Sequence, residues 1–159
     1  VAWSGIVAAS LLIPGGNARK LFGEAGLKRA IDSGFHADGG IVSRSPLAQL
    51  EAVMLLSMVQ AVYDVRREPA PACLGEGLAR AVPALLGLTH GDGGLGSWQG
   101  AGAIAPDAVS AVVGASRVRA RPLRQARDWG YQRIAAGATG NWRLCSSFSL
   151  PSSPVSPFS

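Results

Sequence analysis

His36-Ala37-Asp38-Gly39-Gly40-Ile41-Val42-Ser43 returns 54 residues later as His90-Gly91-Asp92-Gly93-Gly94-Leu95-Gly96-Ser97. Five of the eight positions are identical and a sixth stays aliphatic. The glycine pairs alone carry little information, because they supply left-handed turns wherever a helix ends. The matching His, Asp and Ser at one constant offset carry more. They mark equivalent loops of a repeated unit, and the stretch between them has room for one helical hairpin. Such a chain stacks helix pairs, with corresponding loops falling on one rim.

Outward from the first loop, Ser45-Pro46 reads as an N-cap followed by proline at the first helical position, where its missing N–H costs nothing. The helix it opens runs from Pro46 to about Arg67, and its apolar residues cover nearly the whole circumference, which predicts burial all round. Before the loop, residues 1–13 read as a helix stopped by Pro14-Gly15-Gly16. Asn17 then reads as the cap of a second helix over 18–33, with Leu21, Phe22, Ala25, Leu27, Ala30 and Ile31 among its apolar positions. A fourth helix is predicted over 72–89 with a bend at Pro83, and a shorter fifth over 106–115.

Composition fits this reading. The chain has 159 residues, 48% of them hydrophobic and 16% charged, enough to bury a core and too apolar for a disordered chain. Apolar runs stop short of the ~18–20 residues a bilayer-crossing helix needs, so no membrane span is predicted. Cys73 and Cys145 are the two cysteines, too few for a disulfide framework or a cysteine zinc site. The net charge of +5 is local: residues 117–143 hold seven arginines against Asp128.

That arginine-rich connection gives way to Gly130-Tyr131-Gln132-Arg133-Ile134, which alternates like a strand. Residues 140–159, rich in Ser and Pro, read as a disordered tail. The abrupt change after Thr139 reads as a frame change or a truncation. Val1–Ile13, apolar and without the features of a signal peptide, reads as a helix entered part-way, so the chain looks like a fragment with its N-terminus missing.

Asp38-Gly39-Gly40-Ile41-Val42-Ser43-Arg44-Ser45-Pro46 with Gln49-Leu50, then His90-Gly91-Asp92-Gly93-Gly94-Leu95, and finally Gly130-Tyr131-Gln132-Arg133, together resemble the heparinase II/III-like family of polysaccharide lyases and their bacterial relatives. The resemblance covers roughly residues 1–139. It implies a mainly α chain: an incomplete α/α toroid of helical hairpins over 1–116, then the arginine-rich connection and the first strand of a truncated β-sandwich over 117–139. It also implies a parent that cleaves uronate-containing polysaccharide by β-elimination, this fragment being inactive alone, in the periplasm or cytoplasm of a bacterium. Relatives commonly carry Asp-Gly-Gly-His at the first loop, and Ile41 stands where that histidine would be. The alternative from another class is a noncatalytic helical-repeat module that binds an anionic glycan or a cell-envelope partner.

A uronate lyase neutralises a carboxylate, removes the proton beside it and protonates the departing oxygen, which calls for a cation or polar donor, a base and an acid. The resemblance assigns these tasks to Asn or His and Tyr of the toroid with His from the sandwich, so His36, His90 and Tyr131 are the catalytic candidates. Arg44, Asp38, Asp92 and Trp98 are the substrate-binding candidates: Arg44 as a bidentate carboxylate partner, Trp98 as a stacking platform for a sugar ring. Each has a plainer reading, as solvated loop residues or as packing beneath the loops. Tyr63, at the end of an apolar helix, reads as a core residue with its hydroxyl at the boundary. Stacked loops could bring the paired His and Asp side chains into one metal site, but parallel loops of a repeat more often stay too far apart, and no metal or cofactor is expected. The arginine stretch suits a polyanion. Acidic polysaccharide and the missing sandwich of the parent are the expected partners, and nucleic acid is not, because no nucleic-acid fold signature accompanies the charge.

Overall fold

The computed structural model describes residues 1–135 and 142–144. The described part is mainly helical: α1 is Ala2–Leu12, α2 Asn17–Gly34, α3 Pro46–Arg66, α4 Ala72–Gly87 and α5 Pro106–Ser116. Three short strands follow, β1 at Gln125–Ala126, β2 at Tyr131–Ala135 and β3 at Trp142–Leu144.

The helices form two rows. In one, α3 lies between α1 and α5; in the other, α2 backs α1 and α4 backs α3, with α2 touching α4. Close approach within the first hairpin depends on Gly23, where a Cβ would come within 3.1 Å of both Ile6 and Val7. The core runs through Val7, Leu27, Ile31, Val53, Val59, Leu78 and Leu85.

The start of α3 is as expected: Ser45 is its N-cap, the Ser45 hydroxyl accepting from the Ala48 N–H, with Pro46 in the first turn. Asn17 is not a cap. Gly16 holds that position, so Asn17 is already helical and makes no capping bond. Pro83 sits inside α4, which continues through it to Gly87.

The predicted burial of α3 on all sides is corrected. Met54 is 49% exposed, Met58 46% and Val65 77%, although α1, α4 and α5 all pack against α3. α3 also has the length and composition of a bilayer-crossing helix, which the run-length criterion missed because isolated polar residues interrupt it. It packs against three helices, with 44% of its most apolar window buried.

The arginine-rich connection is not wholly irregular. It contributes β1, which pairs antiparallel with β2 through Gln125 with Gln132 and Ala126 with Tyr131. β3 pairs antiparallel with the other edge of β2, Arg133 against Leu144 and Ala135 against Trp142. Trp142–Leu144 therefore depart from the disorder predicted for 140–159; the rest of that tail lies outside the described residues.

Candidate functional site

Both repeated loops fold alike. In the first, the His36 N–H donates to the Gly40 carbonyl at 2.8 Å and the Gly39 N–H to the His36 carbonyl at 2.9 Å. In the second, the His90 N–H donates to the Gly94 carbonyl at 2.8 Å and the Gly93 N–H to the His90 carbonyl at 3.1 Å. Gly39 and Gly93 share a φ of +86°, which a side chain would strain. Each aspartate closes its own turn: Asp38 Oδ1 accepts from the Gly40 N–H at 3.3 Å, Asp92 Oδ1 from the Gly94 N–H at 2.8 Å. The histidines are therefore fixed through their backbones, and the shared aspartates are first of all turn formers.

The loops differ in what lies over them. On the first, Trp129 is almost fully buried, 2% exposed, with its backbone N–H donating to Asp38 Oδ2 at 2.9 Å and its indole N–H to the Ile41 carbonyl at 2.7 Å. Gly40 makes room for it: a Cβ there would stand 2.0 Å from the indole ring. On the second loop, the longer stretch to α5 folds back on itself, and the Leu95 N–H donates to the Ile104 carbonyl at 3.2 Å. Asp92 is exposed, and its Oδ2 has no hydrogen-bond partner among the described residues.

Tyr131 is the next link. Its hydroxyl donates to the Arg44 carbonyl at 2.8 Å and accepts from the Trp98 indole N–H at 2.9 Å. The Arg44 guanidinium lies 5.0 Å over the Tyr131 ring and donates to the Gly130 carbonyl at 3.4 Å, while its Nε is buried with no hydrogen-bond partner among the described residues. Arg44 reaches this position from a left-handed backbone, φ +58°, unusual for a residue with a side chain. Trp129, Tyr131, Trp98 and His90 then follow one another in a chain of ring contacts, edge to face for Trp129–Tyr131 and Trp98–His90 and tilted for Tyr131–Trp98, with centroid separations of 4.9, 6.4 and 5.9 Å respectively.

Of the sequence candidates, the structure thus brings together Asp38, Arg44, Trp98, Tyr131 and, at the edge, His90. It does not bring in His36 and Asp92. The assembled residues form a clasp that holds the segment 124–135 on the helical stack. Arg44 faces the Tyr131 ring and the Gly130 carbonyl, and Trp98 is half-buried with its indole N–H engaged. His36 and His90 are half-buried, and their imidazole nitrogens have no hydrogen-bond partner among the described residues. No group of three or more His, Cys, Asp or Glu side chains suited to a metal occurs among the described residues.

Two residues essential to this geometry escaped selection. Gln49 is fully buried; its Oε1 accepts from the Ile41 N–H at 2.7 Å, and its Nε2 donates to the carbonyls of Gly39 and Ala81, each at 2.9 Å. A glutamine among the apolar residues of α3 was the signal. Trp129 offered only its size within a basic stretch.

At the other end of the helices, the Tyr63 hydroxyl donates to Glu24 Oε1 at 2.5 Å, and Lys20 pairs with Glu68 at 2.5 Å. Burial first, then the Glu24 carboxylate, raise the Tyr63 phenol far above its ordinary range. Burial also pushes the Cys73 thiol up, keeping it protonated and poorly nucleophilic. In the connection, Arg117 pairs with Asp64 at 2.7 Å, whereas Arg119, Arg121, Arg124 and Arg127 are exposed with no side-chain partner among the described residues.

No family model matches the chain, and no solved structure matches it. Among curated proteins, the chain is similar to FtsZ-localized protein C of Caulobacter vibrioides, 27% identical over 108 residues. The match covers 68% of this chain and 19% of that protein, so the chain spans about a fifth of the length of the relative it matches.

Proposed function

We propose that this chain is a noncatalytic helical-repeat module of a heparinase II/III-like protein, and that it holds an anionic polysaccharide along its arginine connection. The observation that carries this reading is the engagement of the rim side chains. Asp38, Arg44, Trp98 and Tyr131 contact one another or nearby backbone groups, and Ile41 occupies the position of the family histidine. Arg119, Arg121, Arg124 and Arg127, exposed and without a side-chain partner among the described residues, supply the positive charge that uronate carboxylates complement. The two-row stack with its 54-residue repeat supports an arc of an α/α toroid, and the sheet β1–β3 supports the entry to a β-sandwich in the parent. The name of the Caulobacter protein supports a setting shared with FtsZ.

A second reading keeps the lyase: His36 and His90 retain uncommitted imidazoles, available to act with groups from the rest of a parent chain. Affinity electrophoresis through gels containing polygalacturonate or heparin separates the two. The module reading expects a retardation that falls with salt, weakens about tenfold when Arg119, Arg121, Arg124 and Arg127 become Gln, and leaves no unsaturated uronate chromophore. Appearance of that chromophore, and its loss in His36→Ala or His90→Ala, would establish the lyase. Absence of retardation by any acidic polysaccharide overturns the module reading.

A further inference from the structure

The α1–α2 turn and the first half of α2 carry four large apolar side chains in solvent: Leu12 is 56% exposed, Ile13 58%, Leu21 76% and Phe22 60%. The repeat supplies an internal control for them. At the same 54-residue offset the second hairpin has Arg66, Arg67, Gly75 and Glu76 in their places, all exposed as well. The inward positions correspond too: Gly23 with Gly77, Leu27 with Ala81 and Ile31 with Leu85 are all buried. Equivalent sites in one fold thus accept arginine, glycine and glutamate, so the fold itself does not require the apolar side chains of the first hairpin.

Charge at this end of the helices is unbalanced. Glu68 is paired with Lys20, Asp64 with Arg117, and Glu24 accepts from the Tyr63 hydroxyl with Lys20 Nζ 3.9 Å away. Arg19, Arg66 and Arg67 are exposed and have no ion-pair partner among the described residues. The acids here are each engaged by a group of the protein, and the arginines are left over beside the apolar patch. Alkyl and aromatic side chains flanked by free guanidinium groups match the two layers of an anionic bilayer surface, acyl boundary and phosphate headgroups.

We propose that the α1–α2 turn docks on an anionic lipid bilayer, with Leu12, Ile13, Leu21 and Phe22 entering the interface and Arg19, Arg66 and Arg67 meeting the headgroup phosphates. The helices are not inserted. The rim loops lie at the opposite ends of α2 and α3 and stay in water, so this surface is separate from the clasp and from the polysaccharide reading.

Co-sedimentation of the full chain with vesicles tests the docking. The chain is expected to pellet with vesicles of phosphatidylcholine containing phosphatidylglycerol, and to be released by salt. Leu21→Gln with Phe22→Glu, the second change copying the second hairpin, is expected to weaken that partition at least ~tenfold with the helical circular dichroism unchanged. Phe22 also packs on Trp3, with ring centroids 5.3 Å apart, so Leu12→Gln with Ile13→Gln provides a variant free of that contact and should show the same loss. Arg66→Gln with Arg67→Gln should lower binding to the level seen on pure phosphatidylcholine. The proposal is overturned if the unaltered chain ignores anionic vesicles or if both apolar variants bind undiminished. It is equally overturned if the patch instead drives lipid-free self-association that these variants abolish, because the surface is then a protein interface.

Discussion

Asp38 and Asp92 show what a single residue contributes when its neighbourhood changes. Both cap their own turn through Oδ1, yet Asp38 Oδ2 also receives the Trp129 N–H from 91 residues away, while Asp92 Oδ2 stays in solvent. Removing a partner from a buried donor costs more than removing one that water can replace. Asp38→Ala is therefore expected to lower the unfolding free energy by about 2–3 kcal/mol, and Asp92→Ala by about 1 kcal/mol. Urea unfolding of the two variants measures the difference, and equal losses would mean that the Trp129 contact adds nothing. The residue types were legible in the sequence, because the two motifs announced themselves. Their unequal roles were not, because the motif contains no information about which later segment comes to lie on it. Arg44 is similar: its charge suggested a substrate carboxylate, and only its left-handed backbone and the Tyr131 ring beneath the guanidinium reveal a group turned inward.

Among the elements, helices were read well where termini carry local chemistry, as at Ser45-Pro46, and less well where a glycine pair offered two adjacent cap positions, as at Gly16 and Asn17. The all-round apolar character of α3 was read as complete burial because periodicity counts apolar residues, not neighbours; Met54, Met58 and Val65 stay exposed beside the helices that pack on α3. Where α2 meets α3, the sequence pointed to Tyr63 and missed Glu24. That contact has a pH consequence with a definite sign. Burial and the nearby carboxylate raise the folded-state pKa of Tyr63, so the folded chain keeps its phenolic proton at pH values where the unfolded chain loses it. The contribution is intact below the unfolded value of about 10 and declines as pH climbs above it. Thermal unfolding between neutral and strongly alkaline pH should therefore show a loss of stability above pH ~10 that is smaller in Tyr63→Phe, although that variant starts less stable at neutral pH. Identical alkaline slopes in the two proteins would rule out the Tyr63 contribution.

For the molecule as a whole, the central fact is that the small sheet and the helical stack are joined through side chains the sequence had marked for chemistry. Tyr131 at the start of β2 ties together the residue before the α3 cap and the insertion after the second loop, and it does so with one hydroxyl that donates to the Arg44 carbonyl and accepts from the Trp98 indole. Tyr131→Phe keeps the ring, its packing on Trp129 and the guanidinium above it, but leaves both hydrogen-bond partners unmatched in a half-buried site. The expected loss is about 1–3 kcal/mol of unfolding free energy, with faster amide exchange at Arg44-Ser45 and through the 95–104 insertion together. On the proposed module reading, polysaccharide binding by the arginine connection should stay within about twofold of the unaltered chain, because Arg119, Arg121, Arg124 and Arg127 do not depend on that hydroxyl for their charge. A Tyr131 that instead served proton transfer would give the reverse pattern, in which stability and exchange hold while turnover of a polyuronate falls. Running hydrogen exchange and polysaccharide binding on the same variant separates the two, since a hydroxyl shared between Arg44 and Trp98 can loosen the clasp without touching the charge outside it.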